Sequence, residues 1–435
     1  MTASSALAAR SNNESGIGTM WRNRRVLGAS LVGTAVEFYD FYIYGTAASL
    51  VFGPLFFPAS SPTAQLLAAY ASFAVAFFAR PLGAAVFGHF GDRIGRKSTL
   101  VASLMLMGGS TLAIAFLPTY AAIGFWAPLL LCVMRFGQGF GLGGEWAGAA
   151  LLAVENAPPG WRARYGMFPQ LGAPVGFLMA NGFFLLLGEM LSDTEFTRWG
   201  WRLPFLASAV LVILGLWIRL RITETPEFAT VLEERGTAQV PMVEAVRAHP
   251  LELLSGTFAV VACFAIFYIA TIFALGFGTV TLGIDRNHFL ALQLIASLFL
   301  AIGIILAGWW SDLRSPRLVL IAGCLLTMPM GLAFGPLIGL VQSLPVAAAL
   351  ASALFAMGFV YGPLGAWLPS LFPVRLRYTA ASLAFNLGGI IGGALAPIVA
   401  SALVSRFGVA AAGLYMSSAA AISILALWAK NRQHH

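Results

Sequence analysis

The feature of the sequence that most constrains its fold is a succession of long apolar segments separated, with one exception, by short polar connections. A bilayer core of about 30 Å is crossed by about 20 residues of α-helix, which rises about 1.5 Å per residue. Twelve segments are of that order, and they are numbered here as spans 1 to 12: 26–53, 64–90, 98–117, 121–153, 165–188, 203–220, 254–280, 289–310, 318–340, 344–371, 379–404 and 408–429. The sequence therefore predicts an all-α integral membrane protein with twelve transmembrane helices.

Composition supports a lipid environment. Only 10% of the 435 residues are charged, 59% are hydrophobic, and the mean hydropathy is +0.84. Soluble proteins keep roughly a quarter of their residues charged. The net charge of +8 does not indicate a nucleic-acid partner, because the basic residues lie in short clusters between apolar runs and not in one stripe. We expect the lipid bilayer, and no nucleic acid, as the partner of this surface.

Neither a cofactor nor a metal is expected. The three cysteines, Cys132, Cys263 and Cys324, all lie inside apolar runs, and their spacing matches no metal or redox pattern. No cleavable signal peptide is expected either, since the first 20 residues lack an apolar run. Span 1 is predicted to be a retained helix.

The distribution of basic residues orients the chain. With both termini in the cytoplasm, nineteen Lys and Arg residues fall in cytoplasmic segments and four in outer ones, while Arg80 and Arg135 lie within spans. Cytoplasmic connections of membrane proteins carry the excess of basic residues. The sequence thus predicts an even number of spans and two cytoplasmic termini.

The chain also divides into two similar halves. Its one long polar connection separates six spans from six spans. Related segments recur at similar offsets: Gly88–Lys97 and Gly308–Arg317 follow spans 2 and 8, and Arg162–Tyr165 and Arg375–Tyr378 open spans 5 and 11. An internal duplication explains both matches and predicts two pseudo-symmetric six-helix bundles, an arrangement typical of transporters. The predicted organisation is a tail at 1–25, a bundle at 26–220, a linker at 221–253, a bundle at 254–429 and a tail at 430–435.

Several short motifs show a family resemblance. Gly88-x3-Asp92-Arg93-x-Gly95-Arg96-Lys97 resembles the loop 2–3 motif of the major facilitator superfamily, and Arg135-Phe-Gly-Gln138-Gly139 resembles its span 4 motif. The chain is similar in particular to the metabolite:proton symporters, which include shikimate, citrate, α-ketoglutarate and proline/betaine carriers. The segments that carry this similarity are Glu37–Phe41, Arg80–Gly83, Gly143–Trp146, Trp199–Phe205 and Glu224–Phe228.

This resemblance implies a secondary active transporter that works by alternating access. Its expected activity is proton-coupled uptake of a small organic acid or related metabolite: shikimate-like, a di- or tricarboxylate, or a zwitterion. It also implies a monomer in a bacterial inner membrane. The second half departs from the family pattern after span 8, where Leu313 and Ser315-Pro316 replace an expected Arg and Gly-Arg.

A charged residue inside a membrane span costs free energy and usually has a function. Glu37 and Asp40 lie three residues apart in span 1, so they share a helix face that Tyr44 continues. A carboxyl group in a low-dielectric cavity between the spans can bind and release a proton. We therefore predict that Asp40 and Glu37 couple protons to transport. The alternative for each is a fixed ion pair that holds span 1 to a neighbour.

Buried cations are the candidates for binding a substrate carboxylate. Arg135 can bind one bidentately or pair with a span 1 acid, and Arg80, which precedes Pro81, is a second candidate. The alternative for both is a structural contact between helices. The other predicted substrate-binding residues are polar or aromatic side chains within spans: Gln138, Glu145, Tyr44, Asn181, Tyr268, Trp367 and Asn386.

The loop after span 2 is predicted to gate the cytoplasmic side. Asp92 can accept hydrogen bonds from the N-terminus of a helix in the other half, where the helix dipole favours an anion. The residues of this predicted gate are Gly88, Asp92, Arg93, Gly95, Arg96 and Lys97, with Asp312 in the second half. The alternative is that the basic residues of this loop serve topology alone.

Two other functions were weighed. Gly172-Ala-Pro174-Val-Gly176 in span 5 partly resembles the Gly-Pro motif of drug/proton antiporters, so proton-coupled efflux remains an alternative. A membrane-embedded enzyme would need histidine or carboxylate clusters inside the spans. All five histidines fall at span ends, in loops or in the tail, and an enzyme is therefore not expected.

Overall fold

The computed structural model of the protein describes residues 16–58, 61–94, 96–143, 145–221, 241–374 and 376–429, without the side chains of 88–98, 100, 218–221 and 241. Every regular element in these ranges is helical. The predicted loop motif at Gly88–Lys97 therefore lies outside the described side chains, and Gly95 outside the described residues altogether. Residues 222–240 of the predicted linker also lie outside them.

Six long helices form the first half of the chain. We name them α1 to α6, and their bounds are Arg24–Phe56, Pro62–Ile94, Arg96–Ile114, Trp126–Leu142 with its continuation Glu145–Glu155, Arg162–Met190 and Leu203–Arg221. Two short helices, Tyr120–Ile123 and Asp193–Arg198, lie in the connections.

Six further helices form the second half. Helices α7 to α12 have the bounds Pro250–Thr281, Arg286–Leu313, Pro316–Gly339, Ser343–Ser370, Arg377–Phe407 and Ala410–Ala429. An eight-residue helix, Pro241–Ala248, precedes α7. Helix α7 begins four residues earlier than predicted because Pro250 fits the first helical turn, where a missing backbone N–H costs nothing.

The predicted all-α membrane architecture is confirmed. Within the described ranges, ten helices are long and apolar enough to cross a bilayer. The other two are shorter: α3 opens with Arg-Lys and has an apolar part at Val101–Ile114, and α4 is interrupted between Leu142 and Glu145. The interruption of α4 falls within the Gly-Gly-Glu-Trp segment of span 4, which was predicted as one continuous helix.

Local distortions are concentrated in three helices. Helix α1 contains a π-helical turn at Ala48–Phe52, α7 contains two at Ile269–Phe273 and Phe277–Thr281, and α11 contains one at Ile390–Ala394. A π-helical turn shifts the backbone hydrogen-bond pattern by one residue, and such turns are frequent at functional sites. All three helices line the interface between the two halves.

The two halves meet along antiparallel helix pairs. Helix α5 packs on α8, and α2 packs on α11. The start of α5 lies beside the end of α8, and Asn23 at the start of α1 bonds the carbonyl of Asn156 after α4. We call the end of the bundle at which α1 begins and α12 ends the terminal end, and the other the opposite end.

A reporter experiment tests the predicted orientation. We expect alkaline phosphatase, which is active only outside the cytoplasm, to give background activity when fused after His435, because the positive-inside bias places the terminal end in the cytoplasm. The same reporter inserted at Gly283, in the short connection between α7 and α8 at the opposite end, serves as the positive control. High activity of the C-terminal fusion would reverse the orientation.

Candidate functional site

The interior of the bundle contains buried ionisable side chains, and three of them lie in α1, α2 and α4. The exposed fraction is 0% for Arg135, 1% for Asp40 and 5% for Arg80. Burial of this degree is costly for a charge unless specific partners surround it. The arrangement of those partners therefore defines the site.

Glycines bring the two arginine-bearing helices together. A Cβ on Gly83 of α2 would collide with the backbone of Phe140 in α4, and one on Gly139 would collide with the backbone of Ala76 in α2. Both glycines belong to the motifs that contain Arg80 and Arg135. The close approach of α2 and α4 thus places both arginines in the same part of the bundle, and only glycine permits it.

Arg135 is enclosed by its own bundle. Its Nη1 donates to Gln138 Oε1 at 2.8 Å and its Nε to the carbonyl of Phe73 at 3.3 Å. Its guanidinium carbon lies 4.1 Å from the ring centroids of both Phe41 and Tyr44. Its Nη2 has no hydrogen-bond partner. Cation–π contacts and two hydrogen bonds therefore hold the guanidinium and leave one donor nitrogen unused.

Asp40 is linked to Arg135 through two side chains and not directly. Gln138 Nε2 donates to Thr111 Oγ1 at 2.7 Å, and Thr111 Oγ1 lies 3.3 Å from Asp40 Oδ2 and 2.9 Å from the carbonyl of Met107. Asp40 Oδ1 has no hydrogen-bond partner among the residues that the structure describes. Asp40 forms no ion pair with any residue that the structure describes, so the predicted alternative of a direct pair with Arg135 is not the arrangement found.

Arg80 faces the boundary between the halves. Its guanidinium carbon lies 4.3 Å from the ring centroid of Phe41. The Phe41 ring therefore contacts the guanidinium groups of both Arg80 and Arg135. Its Nε has no hydrogen-bond partner. Its electrostatic neighbours are one carboxyl and three phenols: Glu37 and Tyr42 of α1, Tyr268 of α7 and Tyr361 of α10. Arg80 is thus a buried cation that both halves of the bundle surround.

A second polar group lies nearer the opposite end. Thr46 Oγ1 donates to Asn181 Oδ1 at 2.6 Å, and Asn181 Nδ2 donates to Gln293 Oε1 at 3.2 Å. Gln293 Nε2 donates to the carbonyls of Ala270 and Thr271, at 3.2 and 2.8 Å, in the first π-helical turn of α7. Tyr42 also lies beside these side chains, which pack closely enough to leave no room for a water molecule between them.

The terminal end is closed by contacts between the halves. Asp312 at the end of α8 accepts from the backbone N–H groups of Ala163 and Arg164 in the first turn of α5, at 2.8 and 2.9 Å. The Arg164 guanidinium carbon lies 4.3 Å from the Trp161 ring centroid and 4.1 Å from that of Trp309. This aspartate therefore occupies the anion-favouring N-terminus of a helix from the other half.

The opposite end is closed as well. The hydroxyls of Ser49 in α1 and Tyr70 in α2 both donate to the carbonyl of Ile272 in α7, each at 3.0 Å. Arg286 at the start of α8 pairs with Asp193 at 3.1 Å and lies over the Phe196 ring. Contacts between the halves are therefore present at both ends of the bundle.

Other predicted residues lie away from Arg80. Glu145 accepts from Ser103 Oγ of α3 at 2.8 Å. Asn386 of α11 donates to the carbonyl of Gly143 at that interruption, at 2.7 Å. Trp367 is buried in the second segment of α10. Tyr44 bonds Ser72 Oγ at 2.8 Å beside Arg135.

Sequence reasoning missed Thr46, Thr111 and Tyr42 in the two buried groups and Arg164 at the terminal end. Thr111 and Tyr42 carry no charge, and nothing in their neighbourhood distinguishes them from other polar residues in apolar helices. Arg164 was assigned to topology and to the internal repeat only. Its position at the start of a helix was a usable signal, since such a terminus attracts an anion from the facing half.

The comparisons with known proteins agree with this architecture. Residues 26–240 match the sugar (and other) transporter family. The chain is 48% identical to the inner membrane metabolite transport protein YhjE of Escherichia coli (strain K12) over 94% of both chains, and 37% identical to the shikimate transporter of the same organism over 89% of both.

A solved structure gives the same fold. The proton:xylose symporter XylE of E. coli superposes with a TM-score of 0.73 at 17% sequence identity, covering 96% of this chain and 95% of XylE. Full-length relatives at these identities are transporters and not enzymes, which sets aside the enzyme hypothesis. This chain is a multi-pass membrane transporter that belongs to the major facilitator superfamily and, within it, to the metabolite:proton symporters.

Proposed function

We propose that the protein takes up a small organic acid together with one or more protons by alternating access. The observation that carries this proposal is the connected series Asp40, Thr111, Gln138 and Arg135, which places a titratable acid and a cation in one buried network. Asp40 carries the proton. Arg80 receives the substrate carboxylate.

The number of hydrogens available around Thr111 supports a protonated Asp40 in this structure. A threonine hydroxyl has one hydrogen and two acceptor positions. Thr111 can donate to the Met107 carbonyl, accept from Gln138 and accept from a protonated Asp40. An ionised Asp40 would take the only Thr111 hydrogen and would still bury one oxygen without a partner, which costs about 1–3 kcal/mol or more for a charged group.

Arg80 is the better contact for a substrate anion. Arg135 already donates two hydrogen bonds within its own half, whereas the contacts of Arg80 with the described residues are to aromatic rings and electrostatic neighbours. The phenols of Tyr268 and Tyr361 come from the second half, so an anion bound at Arg80 would touch both halves. Ligand contact with both halves is what alternating access requires, since the halves rock around the bound substrate.

Glu37 is the second candidate for proton coupling. It is partly buried and lies within electrostatic range of Arg80. We propose that it balances Arg80 while no substrate is bound. A substrate carboxylate at Arg80 would then displace this interaction and favour protonation of Glu37, since two carboxylates compete for one cation.

The contact of Asp312 with α5 is proposed as the terminal-end gate. We expect Asp312→Asn to lower the transport rate at least about tenfold, because the variant loses the charge and one of two hydrogen bonds at the helix N-terminus. Cys263, which is 1% exposed and lies near Tyr42 and Tyr361, is a native reporter of opening. With Cys132→Ser and Cys324→Ala in the background, Asp312→Asn should speed alkylation of Cys263.

Asp285→Asn is the matched control for this experiment. Asp285 also accepts from a helix N-terminus, at 2.8 Å from the His288 N–H, but within its own helix α8. Asparagine caps a helix about as well as aspartate. We therefore expect Asp285→Asn to leave both rates near wild type. Equal alkylation rates in the two variants would remove Asp312 from the gate.

A binding screen tests the proposed substrate class. We expect one or more small carboxylic acids to raise the melting temperature of the purified protein, because a ligand that binds only the folded state stabilises it. Arg80→Gln should abolish that rise in melting temperature by removing the cation. Arg317→Gln is the control and should keep the rise, because Arg317 bonds the Leu427 carbonyl far from Arg80. Stabilisation of Arg80→Gln equal to that of wild type would remove Arg80 from the site.

Proton-coupled efflux remains the second candidate. Pro169 and Pro174 lie within α5, the helix that carries the partial antiporter motif. The direction of flux under an imposed proton gradient separates uptake from efflux. Substrate accumulation with an inward proton gradient supports uptake.

A further inference from the structure

A groove lies on the outer surface of the second half, at the terminal end of the bundle. It runs between the start of α7 and the end of α12 and has a volume of about 190 Å³, whereas a single water molecule needs only about 10–15 Å³. Large apolar side chains of α7 form one wall, Leu251, Leu254 and Phe258, and two alanines of α12, Ala426 and Ala429, form the other. The groove is therefore large enough for part of an organic molecule.

The groove exists because α7 and α12 approach each other closely where α12 carries small side chains. Ser255 Oγ of α7 donates to the carbonyl of Ala426 at 3.0 Å, and this bond uses the hydroxyl. Ala426 and Ala429 are three residues apart and share a helix face, so no longer side chain fills the space beside this bond. Leu251 and Leu254 remain exposed along it. The occupant that suits these walls is apolar.

The surroundings of the groove place its mouth at the level of the lipid headgroups. The short helix Pro241–Ala248, which precedes α7, buries Ala245 and exposes Val243 and Val246. A short helix that exposes apolar side chains in this way is typical of the membrane interface. Two turns of α7 line the groove, which corresponds to a rise of about 11 Å from the interface into the hydrocarbon. An acyl chain is the apolar group that the bilayer presents to such a groove.

Glu252 lies in the lining of the groove, in the first turn of α7, and gives its mouth a negative charge. Its side chain is 30% exposed, and Nδ1 of His249 lies 3.9 Å from its Oε2, which is longer than a hydrogen bond. A partly buried carboxylate beside apolar walls favours a cation with N–H donors. A primary ammonium group has three such donors, and a trimethylammonium group has none.

A cation precedes Glu252 in the chain. Arg247 is exposed in the last turn of the short helix Pro241–Ala248. A headgroup that carries both a phosphate and a primary ammonium group matches these two charges. A headgroup with a net negative charge would instead be repelled by the Glu252 carboxylate.

We propose that this groove binds a phosphatidylethanolamine molecule, with one acyl chain between α7 and α12, its ammonium group on Glu252 and its phosphate beside Arg247. The site lies on the outer surface, apart from the buried network of Asp40 and Arg135. The inference therefore does not depend on the proposed substrate or on proton coupling.

Binding of three phospholipids with the same dioleoyl chains tests the inference. Phosphatidylethanolamine, phosphatidylcholine and phosphatidylglycerol are each titrated against the purified full chain in detergent, and native mass spectrometry gives the affinity of the first bound lipid. We expect phosphatidylethanolamine to bind at least about tenfold more tightly than the other two, because only its headgroup offers a cationic N–H donor to Glu252.

Glu252→Gln tests the headgroup contact. The variant keeps the size of the side chain and removes its charge, so most of the preference for phosphatidylethanolamine should disappear. Glu155→Gln is the matched control, because Glu155 is an exposed carboxylate at the end of α4, at the same end of the bundle. The control should keep the preference of the wild type.

Ala429→Leu tests the acyl-chain contact. The added side chain would occupy the groove, so all three lipids should bind severalfold more weakly. Ser418→Leu is the control on the same helix, because Ser418 is exposed outside the groove and its hydroxyl bonds the Leu414 carbonyl of its own helix. Both substitutions are at exposed positions, and the melting temperatures, measured in parallel, should stay near that of the wild type.

The outcomes test the two parts of the site separately. Equal affinity of the wild type for the three lipids, or an undiminished preference in Glu252→Gln, overturns the assignment of the ammonium group to Glu252. Tightest binding of phosphatidylglycerol also overturns it, since an anionic lipid on Arg247 would then be the occupant. Wild-type binding of all three lipids by a folded Ala429→Leu variant overturns the groove as the acyl-chain site.

Discussion

Asp40→Asn is expected to reduce proton-driven accumulation of the substrate to the level of passive equilibration, while exchange of labelled for unlabelled substrate continues. Asparagine keeps the size of the side chain and can take part in the hydrogen bond with Thr111, but it cannot release a proton. Net uptake requires the proton site to load on one side and empty on the other. During exchange the carrier crosses the membrane in both directions with substrate and proton bound, so no net proton movement occurs.

The two activities are measured in the same proteoliposomes. Accumulation is followed under an inward proton gradient, and exchange is followed after preloading with unlabelled substrate. Asp285→Asn, the same substitution at a helix cap away from the site, should show both activities. Wild-type accumulation by Asp40→Asn would assign the coupling proton to another group, with Glu37 the next to test.

Arg135→Ala is expected to lower both uptake and exchange to below about 1% of wild type. The substitution leaves Gln138 Oε1 without its donor, and a buried unsatisfied acceptor costs about 1–3 kcal/mol. It also empties the space between the rings of Phe41 and Tyr44. A few kcal/mol at this position changes populations of conformers by a hundredfold or more.

Arg135→Lys separates charge from geometry. Lysine keeps the positive charge but cannot bond Gln138 and the Phe73 carbonyl in the planar arrangement of a guanidinium. We expect partial recovery of exchange relative to the alanine variant, with uptake still impaired. Membrane insertion and melting temperature of both variants are measured in parallel. Near-normal uptake by Arg135→Ala would show that the buried network does not serve transport.

Much of the architecture follows from the length of the apolar segments and the positions of charged residues. The apolar runs predict helices because lipid offers no partner for an open backbone, and helices satisfy their own hydrogen bonds. The interruption of α4 after Leu142 was not predicted, because paired glycines are compatible with both a closely packed helix and a break. The π-helical turns of α7 have no local sequence signature, and Gln293, Ser49 and Tyr70 donate to carbonyls of the first of them.

The sequence predicts which charged residues are buried in the site but not which side chains they contact. Helical spacing placed Glu37, Asp40 and Tyr44 on one face, yet it does not reveal which neighbouring helix each residue meets. In the structure Asp40 meets α3 through Thr111, whereas Glu37 lies near Arg80 of α2. A pair between Arg135 and a span 1 acid was one of the alternatives that the sequence left open. Two neutral side chains instead connect them, and only the packing of α1, α3 and α4 determines that choice.

The energetics of the membrane explain why coupling is needed. An organic acid is anionic at neutral pH, and a membrane that is negative inside opposes its entry by about 2.3 kcal/mol per charge for each 100 mV. A proton that enters with the anion cancels this charge and adds the energy of the pH gradient. The protein then needs one group that binds the proton and one that binds the anion, the roles proposed for Asp40 and Arg80.

The most direct measurement is uptake of the substrate into vesicles under an inward proton gradient, with and without an uncoupler. The substrate is the carboxylic acid that stabilises the purified protein most. Proton symport predicts accumulation above the outside concentration and its loss when the uncoupler collapses the gradient. Accumulation that survives the uncoupler unchanged would contradict proton coupling and would require another driving ion.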